Sequence, residues 1–133
     1  MIDIESQVYT KVITVLRVVH PGINTASVEN YSPTKFPFVS IVEADNYSDR
    51  TTQDTASNEN HVIVMYEINI FSNKKDGKKA EARSIEATVD EVLNSLGFTK
   101  TSSTAINEGD GSRYRRAVRY TAVISNNNVI YRR

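Results

Sequence analysis

The sequence contains no cysteine and no tryptophan, and only three prolines and five glycines among its 133 residues. Without cysteine, the protein can form neither a disulfide framework nor a thiolate nucleophile or thiolate metal site. A chain of this length fits one domain and can bury a core without covalent cross-links. We therefore predict a single domain over residues 1–133 that needs no disulfide bond.

An excess of charge of either sign is also missing. Sixteen basic and sixteen acidic side chains give a formal net charge of zero, whereas non-specific binding to nucleic acid or to an anionic membrane normally accompanies a basic excess. No apolar run approaches the ~20 residues that span a bilayer, and the acidic start of the chain shows no signal peptide. We expect a protein that is made in the cytosol and has no membrane partner.

Motifs that carry chemistry are scarce. His20 and His61 lie in no metal-binding spacing. Asp45, Asp49 and Asp54 resemble a calcium loop only superficially, because the glycine and the terminal glutamate of such a loop are missing from the required places. There is neither a glycine-rich phosphate loop nor a G-x-S-x-G elbow. The sequence thus predicts no catalytic residue, metal or cofactor, and we expect a protein that is not an enzyme.

What the chain does contain is a regular succession of helix and strand patterns. Apolar residues recur every three or four positions over residues 3–19, with Asp3 as N-cap, and over residues 79–96, which predicts two helices. Alternation predicts strands over residues 36–44, 62–71, 99–107 and 113–124, with a brief further pairing at 129–131. The order α-β-β-α-β-β predicts an α+β fold: a mainly antiparallel sheet of four to five strands with two helices packed on one face.

Some details of these elements can also be predicted. The apolar stripe of the first helix comprises Ile4, Val8, Val12, Val15 and Val19. Gly97 lies where a helix commonly ends in a left-handed residue, so that Phe98 can fold back on Leu93. The strand over residues 62–71 is apolar on both faces and is therefore predicted to be central in the sheet.

The segment 45–60 contains no large aliphatic side chain. It therefore cannot supply a core, and we interpret it as a long exposed loop or an extended hairpin tip. Loops of this length inside compact domains are usually functional or disordered. Its charged residues are Asp45, Asp49, Arg50, Asp54 and Glu59.

Four arginines fall within seven residues of the last long strand: Arg113, Arg115, Arg116 and Arg119. Such a cluster could bind single-stranded nucleic acid through phosphate contacts and stacking on Tyr114 and Tyr120. It could equally be a solvated strand face, or a subunit interface in which arginines form forked bonds with carboxylates. Alternation weakens the first reading, because it turns both tyrosines away from three of the arginines and into the core. The residues alone leave the three interpretations open.

The whole pattern resembles that of a known protein family. Its features are a helix starting at residue 3 or 4, a proline-bounded strand near residues 31–38 and a long polar hairpin loop. The strand 62–71, the helix 79–96 with its Leu96-Gly97-Phe98 ending, and an arginine-rich strand follow. In length and element order the chain resembles the tail terminator (tail completion) proteins of long-tailed bacteriophages and related minor tail and neck components.

The resemblance implies a small α+β subunit that closes into a hexameric ring on the last ring of the tail tube. The ring would stop tube polymerisation and join the tube to the head–tail connector protein, with DNA only passing through the lumen. The protein would then be found in the virion tail or neck, after synthesis in the host bacterial cytoplasm. The alternatives are another head–tail joining (neck) component, or a nucleic-acid-binding module that uses the arginine-rich strand.

Two hypotheses about residues follow from this reading. Arg113, Arg115 and Arg119 would lie in the subunit interface or the lumen. The loop with Asp45, Asp49, Arg50, Asp54 and Glu59 would dock on the tail tube protein.

Overall fold

The computed structural model describes residues 4–27, 35–48, 61–73, 76–106, 113–125 and 130–131. Within these ranges the chain forms two helices and six strands: α1 (Glu5–Val19), β1 (Asn24–Ala26), β2 (Phe38–Ser48), β3 (His61–Ser72), α2 (Lys78–Leu96), β4 (Thr99–Ile106), β5 (Tyr114–Ser125) and β6 (Ile130–Tyr131). The predicted α+β class and the two helices are confirmed.

The strands form one sheet in the order β1-β2-β3-β5-β4, and β6 pairs with β5. The position of β3 between β2 and β5 confirms that it is central. All pairings are antiparallel except that of β1 with β2, which is parallel. Over the described residues the sheet is therefore six-stranded and mixed, whereas four to five mainly antiparallel strands were predicted.

Strand β1 was missed because it is only three residues long and lacks an apolar alternation. Its position is fixed by Asn24. The backbone N–H of Asn24 donates to the Pro37 carbonyl at 3.0 Å, and its side-chain amide donates to the same carbonyl at 3.2 Å. These bonds link β1 to the residue just before β2, a contact that no local pattern predicts.

Helix α1 buries Ile4, Val8, Val12 and Leu16 against the rest of the core. Val15 is only partly buried and Val19 is 52 % exposed, so the predicted stripe is wrong in its second half. Four-residue steps continue from Val12 to Leu16, and these keep the stripe on the packed face. The N-cap position is occupied by Ile4, which makes no side-chain cap bond. Asp3, the predicted cap, lies outside the described residues.

Helix α2 starts one residue earlier than predicted and ends at Leu96. Gly97 has a φ of 103°, its N–H donates to the Asn94 carbonyl at 3.1 Å, and the N–H of Phe98 donates to the Leu93 carbonyl at 2.9 Å. This pair of bonds is the predicted Schellman motif. It returns the chain to the sheet, where Phe98 is buried in the core.

The core lies between the two helices and one face of the sheet. The strands contribute a continuous apolar layer to it: Val39, Ile41, Val62, Val64, Tyr66, Ile68, Ile70, Val118, Tyr120, Ala122 and Ile124. Full burial of one such large aliphatic side chain stabilises the fold by about 1.5–3 kcal/mol. Because this layer belongs to one face, neither of the two described helices covers the opposite face of the sheet.

The first four residues of the polar segment 45–60 belong to a strand. Residues 45–48 continue β2 and pair with residues 62–65 of β3, after a register shift between Glu43 and Asp45. An edge strand can be polar because its backbone hydrogen bonds, rather than its side chains, hold it to its neighbour. Asp45 is therefore a strand residue. Asp49, Arg50, Asp54 and Glu59 lie outside the described residues.

Candidate functional site

The sheet face turned away from both helices carries the predicted arginines. The register places Arg115 beside Phe71 and Arg119 beside Glu67, four positions apart on both strands. We call this surface the arginine face and define it by Phe38, Ser40, Glu67, Asn69, Phe71, Arg113, Arg115 and Arg119. The predicted alternation of β5 therefore places Arg113, Arg115 and Arg119 together on one face.

Two of the three arginines cover an aromatic pair. The guanidinium carbons of Arg113 and Arg115 lie 5.1 and 5.4 Å from the centre of the Phe71 ring, within the range of a cation–π interaction. Phe71 is buried and packs against Phe38, with ring centres 6.2 Å apart. These two guanidinium groups thus pack onto the sheet through an aromatic ring.

Arg115 is held further by Asn69. The Nε and Nη2 atoms of Arg115 donate to the Oδ1 of Asn69 at 3.1 and 2.8 Å. Asn69 and Ser40, its neighbour on β2, are both buried. The buried amide oxygen therefore fixes the plane of the Arg115 guanidinium.

Arg119 is in a different environment. Its side chain is 50 % exposed, and its Nη2 lies 3.9 Å from the Oε1 of Glu67, at the limit of an ion pair. An exposed pair of this length contributes little to stability. Of the three arginines on this face, Arg119 is therefore the one best placed to meet another molecule.

The fourth arginine, Arg116, lies on the opposite side of β5 and takes part in a polar network with α2. Its Nε contacts a carboxylate oxygen of Glu86, its Nη2 donates to Ser103 Oγ at 2.6 Å, and its Nη1 donates to the Tyr114 hydroxyl at 3.0 Å. Lys100 Nζ lies 2.9 Å from Glu86 Oε2 and 2.7 Å from Asp90 Oδ2. We call this group the Glu86 cluster: Glu86, Asp90, Lys100, Ser103, Tyr114, Arg116 and Tyr120.

The electrostatics of the Glu86 cluster favour its charged pairs. Burial alone would raise the pKa of Glu86, but hydrogen bonds from Lys100, Arg116 and Ser103 outweigh burial and hold the pKa below its usual value. Burial, and the hydrogen bond that its hydroxyl donates to Asp90, raise the pKa of Tyr120. At neutral pH Glu86 is therefore ionised and Tyr120 is neutral. Side chains with shifted pKa values also occur in active sites. Here the charged and polar groups bind one another and join α2 to β4 and β5.

The sequence reading missed the Glu86 cluster. Glu86 is buried on the packed side of α2 with Ile85 and Val89, and no motif or spacing in the sequence singles it out. The residue that could have revealed the cluster is Arg116, because it shares the core-facing side of β5 with Tyr114 and Tyr120. A charge on that side needs a partner.

No group of three or more His, Asp or Glu side chains that could hold a metal ion occurs among the described residues. His20 Nε2 lies 3.2 Å from Thr88 Oγ1 and thereby links the end of α1 to α2. None of the described helices is both long and apolar enough to cross a lipid bilayer.

No protein-family model and no curated protein matches this sequence. Among solved structures, a chain from the virion of a native gene transfer agent particle resembles this protein with a TM-score of 0.64. The match covers 92 % of this chain and 94 % of that chain, at 14 % sequence identity. At this identity the likeness shows that the two chains share a fold over nearly their whole lengths.

Proposed function

We propose that this protein is a structural component of a phage-like virion. The observation that carries the proposal is the fold shared with a chain of the gene transfer agent virion, which extends over 92 % of this chain. The match includes almost the full length of both chains, so it involves the whole arrangement of helices and sheet. A structural role in the particle also requires no cofactor and no catalytic residue.

Within the particle, we propose that the protein acts as the tail terminator, a ring that caps the tail tube and joins it to the head–tail connector protein. The length and order of the elements support this assignment through the family resemblance described above. Copies related by a heterologous contact close into a ring when their rotation allows. The partners are then further copies of this chain, the tail tube protein and the connector.

The geometry refines the role of the arginines in this proposal. Arg113 and Arg115 pack on Phe71 and shape the arginine face, while the half-exposed Arg119 is the residue offered to a neighbouring copy or to the lumen. The β2–β3 hairpin leads to the segment with Asp49, Arg50, Asp54 and Glu59, which we assign to tube docking.

A nonsense mutation in the gene for this protein tests the assignment. Loss of a terminator should give particles with overlong tail tubes, because nothing stops polymerisation. Tails of normal length that fail to join heads would indicate a neck component instead. Normal particles would overturn both roles, and the wild-type gene supplied from a plasmid is the control.

The ring itself can be tested with the purified protein. Light scattering should give a mass near six subunits of 14.9 kDa each, either directly or as the concentration rises. Negative-stain images of the same sample should show closed rings rather than filaments.

A further inference from the structure

The sheet has two long edges along which no described strand is paired. Strand β1 covers β2 only at residues 38–40, so no described strand pairs with the outer edge of residues 41–48. At the other end of the sheet, β4 pairs with β5 along one edge and with no described strand along the other. Each of these stretches, which no described strand covers, is eight residues long. Unpaired edges of this kind are templates for strand addition by another chain.

The two edges also match in direction. The steps from β2 to β3, from β3 to β5 and from β5 to β4 are all antiparallel, so β4 runs opposite to β2. If a second copy continues the sheet in the same orientation, its β2 lies antiparallel to β4 of the first copy. Antiparallel strands form the slightly more stable ladder. The two edges of one chain are therefore complementary in length and direction.

The exposed side chains are complementary as well. Arg119 on β5 pairs with Ser102 on β4, so Ser102 is its neighbour on the arginine face. Asp45 is exposed and pairs with Met65, which lies on the same face as Glu67. Each edge strand contains one register shift, at Ala44 in β2 and at Thr101 in β4. In the register that allows for both shifts and keeps these faces, residues 99–105 of one copy pair with residues 41–47 of the next, and Ser102 is opposite Asp45. Arg119 would then be two strand spacings, roughly 10 Å, from that carboxylate. An arginine can bridge this gap over a side chain as small as serine.

We propose that β4 of one copy adds to the outer edge of β2 in the next copy, with Arg119 on the Asp45 carboxylate of that neighbour. The inference rests on the ring proposed above, and it names the subunit contact of that ring. Repetition around the ring closes the sheet on itself, which leaves no open edge. Lys100, the charged residue of β4, leaves the edge clear because its ammonium group is turned to Glu86 and Asp90.

Disulfide cross-linking tests the pairing cleanly, because the natural chain contains no cysteine. The double variant Asp45→Cys/Ser102→Cys should form a ladder of covalent oligomers when oxidised, since facing residues on paired strands have Cα atoms about 4.5–5.5 Å apart. The matched control is Asp45→Cys/Ser84→Cys, in which the second cysteine is exposed on α2. Each single variant has only one cysteine, so it should form no covalent species larger than a dimer.

Charge reversal tests the Arg119–Asp45 contact separately. Arg119→Asp or Asp45→Arg alone should raise the protein concentration needed for assembly by about tenfold. The two changes together should restore assembly, measured by light scattering. Failure of the double variant to recover would overturn the contact.

The outcomes separate this inference from the proposed function. Oligomers without the cross-linked ladder would overturn the strand pairing and leave a ring built on another surface. A protein that remains monomeric, without a ladder, at the highest concentration reached would also overturn the pairing. The proposed terminator function is tested separately, by the tail length in the nonsense mutant, and does not depend on either result.

Discussion

Arg115 donates two hydrogen bonds to a single oxygen, the Oδ1 of Asn69, from Nε at 3.1 Å and from Nη2 at 2.8 Å. Asn69 is buried, and the same guanidinium lies over the ring of the buried Phe71. A planar group with several fixed donors can satisfy both contacts at once, whereas a lysine ammonium cannot. Arg115 is therefore held in place by contacts within its own chain and has a structural role on the arginine face.

The substitution Arg115→Lys should lower the free energy of unfolding by about 1–2 kcal/mol, because the buried amide loses its forked donor. Urea denaturation monitored by circular dichroism measures the change. The matched control is Arg119→Lys, on the same face and strand but half exposed, which should change stability by less than about 0.5 kcal/mol. Equal effects of the two substitutions would contradict a structural role for Arg115.

The Glu86 cluster should make stability depend on pH at the acid end. The pKa of Glu86 is held below its usual value in the folded protein. Its contribution is therefore fully present above the ordinary pKa and is lost as the pH falls through the lowered folded value. Glu86→Gln should cost about 3 kcal/mol at neutral pH, because Arg116 and Lys100 lose a buried counter-ion.

The difference between wild type and Glu86→Gln should shrink as the pH is lowered below the folded pKa of Glu86. Urea denaturation at neutral pH and at strongly acid pH measures this. Glu91→Gln is the control, since Glu91 is exposed on the same helix. A cost that stays constant with pH would show that the carboxylate charge is not what stabilises the cluster.

Val92→Pro should destroy helix α2. Val92 is buried in the helix interior, one turn before the helix ends at Leu96, where proline removes a hydrogen bond and clashes with the preceding turn, at a cost of about 3 kcal/mol or more. Lys79→Pro is the matched control, because proline is tolerated in the first turn. Far-ultraviolet circular dichroism should show a large loss of helix for the first variant and a native spectrum for the second.

Binding to single-stranded nucleic acid should be weak. Arg113 and Arg115 are packed on Phe71, which leaves Arg119 as the exposed arginine of this face. Fluorescence anisotropy with a labelled oligonucleotide should therefore show little binding and a shallow salt dependence. Tight binding that weakens steeply with salt would favour the nucleic-acid-binding alternative.

The sequence predicted those features whose signals are local. The central position of β3, the ending of α2 at Gly97 and the common face of Arg113, Arg115 and Arg119 all follow from periodicity or from one residue with a special conformation. β1 could not be predicted, because its pairing depends on a contact between Asn24 and Pro37. The continuation of β2 through Asp45 was hidden because the strand is polar, and its partner lies across the hairpin.

The candidate site was only half predictable for a similar reason. Alternation placed the arginines, but it could not show which of them bind within the chain. That depends on Asn69 and Phe71, which lie more than forty positions away in the sequence. The Glu86–Arg116 pair likewise joins residues thirty positions apart. Such pairs are set by the register of the sheet and by how α2 packs on it.

The length of the β2–β3 ladder has a mechanical consequence. The two strands remain paired as far as Ser48 and Val62, and β3 is bonded on its other side to β5 along twelve residue pairs. Consider a pull that is applied at the Ser48 and Val62 end of the ladder and along the strands. The load is then shared by many inter-strand hydrogen bonds at once instead of opening them one by one, so the sheet should resist tension applied at that end.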